Sequence, residues 1–105
     1  MIFSNMLILQ FSPLQIFGAE FTDGYLKNLL ANKQRVDVHV SSMASKRPMI
    51  VRMMMAYRSN NAIFTVGWDK FVRQCKLKEG DNVIFCFNER DDGELHALVE
   101  ALPGC

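Results

Sequence analysis

A chain of 105 residues can bury one core and is too short for two, so a single domain spanning residues 1–105 is expected. Half of the residues are apolar and 22% are charged, which excludes the polar, highly charged make-up of a disordered chain. Three widely spaced cysteines, Cys75, Cys86 and Cys105, argue against a disulfide framework and for a reducing compartment.

The first stretch, Met1 to Phe17, is apolar, but Ser4, Asn5, Gln10, Ser12, Pro13 and Gln15 interrupt it. No Lys or Arg precedes it, and its longest unbroken apolar run is Met6 to Leu9. It reads as core strands rather than as a signal peptide or membrane anchor, and no membrane partner is expected. Phe21, Tyr25, Leu26, Leu29 and Leu30 then recur at intervals of three and four after Thr22 and Asp23, the pattern of a short helix.

Val36, Val38 and Val40 alternate with Asp37, His39 and Ser41 as in a half-buried strand. Pro48 to Tyr57 reads as a longer one, with Met49, Val51, Met53, Met55 and Tyr57 on one face and Arg52 on the other. The polar breaks Ser45-Lys46-Arg47-Pro48 and Arg58-Ser59-Asn60-Asn61 suit hairpin loops. Trp68, Phe71, Val72 and Cys75 fall on one stripe of a second short helix opening at Gly67. A third hairpin joins Val83–Phe87 to Leu95–Val99 through Asp92-Gly93. Three hairpins and two isolated helices predict a mainly antiparallel barrel, open or closed.

Charge is segregated along the chain. Lys27 to Lys78 carries eleven basic residues against Asp37 and Asp69, a net of +9, whereas Glu79 to Cys105 carries Arg90 against seven acids, a net of −6. A basic face of this kind would meet phosphates and make binding salt-sensitive, although Lys27, Lys33, Lys70, Arg73, Lys76 and Lys78 can equally solvate helix faces.

Nothing points to catalysis. No glycine-rich loop has nucleotide-binding spacing, Asp91-Asp92 falls in an expected turn, and no Ser or Cys stands beside a base. Met53-Met54-Met55 suits a core more than a binding groove. His39 and His96 are distant from each other and from any cysteine pair, so they read as outward-facing strand residues. No enzyme activity, metal, cofactor or small-molecule substrate is expected.

Gly67-Trp68-Asp69-Lys70-Phe71-Val72, followed by Leu77-Lys78-Glu79-Gly80-Asp81-Asn82-Val83-Ile84-Phe85, resembles the signature of the plant B3 DNA-binding domain: Gly-Trp, Phe-Val, then Leu-x-x-Gly-Asp and an apolar strand. Upstream, Leu14-Gln15-Ile16 with Phe21 and Tyr25-Leu26 is similar to that family's entry strand and first helix, with Phe17-Gly18 where a proline is common. The match covers residues 14–99. It looks closer to the divergent, reproductive-meristem branch than to the auxin-response or abscisic-acid branches, since the Trp-Asn-rich second arm of those branches is absent.

The resemblance implies a seven-stranded open β-barrel, the DNA-binding pseudobarrel, with two short α-helices. It further implies a transcription-regulatory module of the nucleus whose partner is double-stranded DNA, gripped in the major groove by two arms. The second arm would run from Arg52 to Asn61. Arg58 and Ser59 with Asn60 and Asn61 would reach bases or backbone, and Arg52 and Tyr57 neighbouring phosphates. The first arm would lie near Gln10, Ser12 and Gln15; with no Lys or Arg in it, modest and weakly selective binding is expected. The alternative is a protein-interaction module, with a protein partner or a second copy, on a barrel that has lost DNA contact.

Overall fold

In the computed structural model the described residues are 6–18, 22, 26, 35–43, 47–55 and 61–102. The strands are β1 (Met6–Gln10), β2 (Ile16–Phe17), β3 (Arg35–Ser41), β4 (Met49–Met55), β5 (Ala62–Phe64), β6 (Asn82–Glu89) and β7 (Leu95–Ala101), with helix α1 (Trp68–Cys75) between β5 and β6. Apolar and polar residues alternate in β3, whereas β1, β4, β5 and β6 are nearly continuous apolar runs. The first expected helix, Phe21 to Leu30, lies outside the described residues except for Thr22 and Leu26, both buried.

The strands form one sheet in the order β1-β6-β7-β3-β4-β5-β2. β1 and β2 therefore occupy opposite edges, yet only Phe11–Gln15 connects them. Five residues reach at most about 20 Å, so the sheet must curl until its two edges come close. The result is an open barrel, mainly β, with Phe11–Gln15 bridging the gap. This segment is called the seam loop below.

The three expected hairpin connections join antiparallel pairs, β3 with β4, β4 with β5 and β6 with β7. One junction departs from the antiparallel expectation: β3 and β7 run parallel, with Val38 opposite Leu95 and Ser41 opposite Leu98. The hairpin signals are local, whereas this pairing joins segments more than 50 residues apart and leaves no mark in either strand's own pattern.

Inward-facing residues of every strand build the core. Val38 and Val40 are fully buried, as the alternation of β3 predicted, and Val51, Met53, Phe85 and Val99 are fully or almost fully buried beside them. Phe17 meets Phe64, Phe85 and Phe87 edge-on at centroid distances of 4.9, 5.2 and 5.5 Å, the arrangement aromatic quadrupoles favour. Trp68 lies parallel to Phe71 at 5.7 Å, so the apolar stripe of α1 closes the interior, with Val72 and Cys75 half-buried beside it.

Gly67 admits the chain to α1. Its φ is +95°, and a Cβ there would stand 2.4 Å from the carbonyl oxygen of Ile50. Conformation and space both demand glycine. Among the described residues no helix is long and apolar enough to cross a membrane.

Candidate functional site

The seam loop is the best-defined irregular segment near the expected arms. Its two ends prolong the flanking ladders: the Phe11 amide donates to the Asp81 carbonyl at 2.8 Å, continuing β1 on β6, and the Phe64 amide donates to the Gln15 carbonyl at 3.1 Å, continuing β5 on β2. Between them the Trp68 indole Nε1 donates to the Ser12 carbonyl at 3.2 Å, and the Trp68 ring lies 6.3 Å from that of Phe11.

Gln15 fastens the loop to itself. Its Oε1 accepts from the Ser12 amide at 3.1 Å and its Nε2 donates to the Gln10 carbonyl at 3.4 Å, with only 2% of the residue exposed. A buried amide is stable only where donors and acceptors are supplied, and here the loop's own backbone supplies them. Gln15 thus belongs to the loop's framework instead of to its outer surface. Sequence pattern does not reveal this, because the position would carry a polar residue in either role. Pro13 and Leu14 form the exposed tip, Ser12 is half-buried and Gln10 is exposed.

The Gly-Trp pair and the Leu-x-x-Gly-Asp turn both converge on this loop. Trp68 of the Gly-Trp pair reaches Ser12 as described. In the Leu-x-x-Gly-Asp turn, Gly80 has φ +93° and Asp81 Oδ2 accepts from the Lys78 amide at 2.9 Å, closing the turn whose Asp81 carbonyl receives Phe11. Asp81 is therefore a turn-fixing carboxylate. Lys76 and Lys78 are exposed on the approach to that turn, so two cations stand close in sequence to the residue that holds the seam loop.

Of the second arm, Tyr57, Arg58, Ser59 and Asn60 lie outside the described residues. Asn61 is half-buried just before β5, and the Thr22 hydroxyl accepts from the neighbouring Ala62 amide at 3.2 Å. Arg52 projects from the outer face of β4, as the alternation predicted. It sits opposite Asp37 of β3, with Nε 3.9 Å from Asp37 Oδ1 and no hydrogen-bond partner for that nitrogen. The seam loop joins β5 at its Phe64 end and the β4–β5 hairpin enters at its Ala62 end, so the two arm positions flank one three-residue strand.

On the outer face, β1, β6 and β7 align Met6 with Cys86 and Leu98, and Ile8 with Ile84. Met6, Ile8 and Leu98 are exposed and Ile84 and Cys86 half-buried, giving an apolar patch beside the edge strand β1. A second outer-face feature contradicts the sequence expectation that His39 and His96 are isolated. The parallel register sets them opposite each other, with rings stacked at 4.7 Å. No family model matches this chain, and no curated protein matches it.

Proposed function

We propose that this chain binds double-stranded DNA as a transcription-regulatory module of the plant nucleus, with the seam loop and the β4–β5 hairpin as its two groove-facing arms. The bracing of the seam loop carries the reading. A loop held by β5, β6, α1 and its own buried glutamine is already ordered, so presenting it to a ligand costs little conformational entropy. The two motifs that resemble the B3 signature are the parts that hold it, which links that resemblance to an arm rather than to packing alone.

The separation along β5 also suits the task. Three strand residues span about 10 Å, close to the width of a major groove. Gln10 and Ser12 offer polar groups at the first arm, while Arg58, Ser59, Asn60 and Asn61 supply base- and phosphate-binding chemistry at the second, with Arg52 and Tyr57 toward the backbone. Gln15 acts by holding the first arm in shape. Lys76 and Lys78 add positive charge on the approach to Asp81.

A fluorescence-anisotropy titration of random duplex DNA at low and moderate salt tests the reading. Binding should weaken with salt and collapse in the chain carrying both Arg52→Glu and Arg58→Glu. Equal affinity in that double variant, with the fold intact, removes the second arm from the interface.

The apolar patch Met6, Ile8, Ile84, Cys86 and Leu98 favours one second reading, a protein-interaction module on the same barrel. It requires a mass that rises with concentration in light scattering and no duplex binding at low salt.

A further inference from the structure

Three potential metal ligands meet where sequence spacing gave no sign of them. His39 of β3 and His96 of β7 are direct partners in the parallel register, and their rings stack at 4.7 Å with an interplanar angle of 16°. Glu94 immediately precedes β7 and joins both: its Oε1 lies 3.1 Å from His96 Nε2 and its Oε2 lies 3.8 Å from His39 Nε2.

The turn that carries Glu94 is itself fixed. The Glu94 amide donates to Asp92 Oδ1 at 2.9 Å, the Arg90 amide donates to the Glu94 carbonyl at 2.8 Å, and Gly93 takes the positive φ the turn requires. The carboxylate is thus presented from a closed turn. The side chains of His39, His96 and Glu94 are 26%, 17% and 47% exposed, so the imidazoles are partly sheltered and the carboxylate side is open to solvent.

We propose that His39, His96 and Glu94 form a binding site for a divalent transition metal of the zinc type, clamping the parallel junction of the barrel. Two imidazole nitrogens and one carboxylate oxygen are the donor set that borderline metals prefer, whereas calcium and magnesium call for six or more oxygens. A tetrahedron with arms of about 2.1 Å has edges of about 3.4 Å, close to the 3.1 Å between His96 Nε2 and Glu94 Oε1, while His39 Nε2 lies nearest the other carboxylate oxygen and must close on the shared one. All three ligand atoms lie within 4.8 Å of one another.

Loading turns the two imidazoles out of their parallel stack about their Cβ–Cγ bonds, which are soft torsions for histidine, so that both nitrogens face one ion. Water takes the fourth position on the open side. The location gives the ion its role. The β3–β7 pairing spans four register positions and is the sole ladder joining the β1-β6-β7 half of the sheet to the β3-β4-β5-β2 half among the described residues. A metal bound to His39 on one side and to His96 and Glu94 on the other stabilises that junction by binding the folded state alone.

The test is titration of the metal-free full chain with cobalt(II), read by its visible ligand-field bands, followed by displacement with zinc. The expected result is one equivalent bound through nitrogen and oxygen, a melting temperature raised by zinc, and affinity reduced about tenfold or more by each of His39→Gln, His96→Gln and Glu94→Gln. Asp91→Asn, in the same turn but outside the trio, should bind as the parent does. Melting the variants without metal confirms that they fold. A thiolate charge-transfer band that persists in the histidine variants would assign the metal to the cysteines and overturn the proposal. So would the absence of uptake with metal in large excess, which would leave the trio as a hydrogen-bonded cluster.

Discussion

Gly67 and Gly80 both hold positive φ, but their surroundings differ, and the difference sets what substitution costs. At Gly80 an added Cβ meets nothing within 4 Å, so Gly80→Ala should cost about 1 kcal/mol, the backbone penalty alone. At Gly67 the same atom would meet the Ile50 backbone carbonyl, which cannot move without disturbing β4, and Gly67→Ala should cost about 3 kcal/mol or more. Chemical denaturation of the two variants checks the ordering, and equal midpoints would contradict it. Gly67 was legible in the sequence as the residue that opens α1. Gln15 was not, since a glutamine in a polar loop reads the same whether its amide faces groove or backbone.

Among the elements, α1 and the seam loop depend on one another. Trp68→Phe keeps an aromatic ring against Phe71 and Phe64 but deletes the indole donor to Ser12. It should lower stability by about 1 kcal/mol, speed amide exchange in Phe11–Gln15, and weaken duplex binding more than such a loss of stability explains. Unchanged exchange in the loop would show that the ladder bonds at its ends suffice.

On β4, Asp37→Asn removes the carboxylate facing Arg52. The pair is substantially exposed, so stability should shift by no more than about 0.5 kcal/mol. Duplex affinity at low salt should rise a few-fold if Arg52 faces phosphates, and anisotropy would register no change if it does not. The faces of β3 and β4 were readable because the side-chain period of a strand is a local signal, as in Val36–Val40. The parallel β3–β7 junction was not, and with it went the meeting of His39 and His96, because nothing local in either segment specifies its distant partner.

Across the whole molecule, the order of strands separates charges that the net value of +1 conceals. Gln10, the last residue of β1 before the seam loop, pairs with Asn82 at the beginning of β6, while Glu89, Asp91, Asp92 and Glu94 cluster around that strand's far end, about 24 Å away along an extended chain. Lys76 and Lys78 precede the near end. The acidic cluster at that far end is thus kept away from the seam loop, beside which Lys76 and Lys78 stand together with Glu79 and Asp81.

On the proposed function, the seam loop and the flanking hairpin are the surface expected to meet DNA. Amide chemical-shift mapping by NMR, during titration with a random duplex at low salt, tests this residue by residue. The largest changes should fall on Ser12, Leu14, Arg52 and Asn61, with Met6, Ile8 and Leu98 little affected. Changes confined to the Met6, Ile8 and Leu98 face, or a spectrum that DNA leaves untouched, would contradict it.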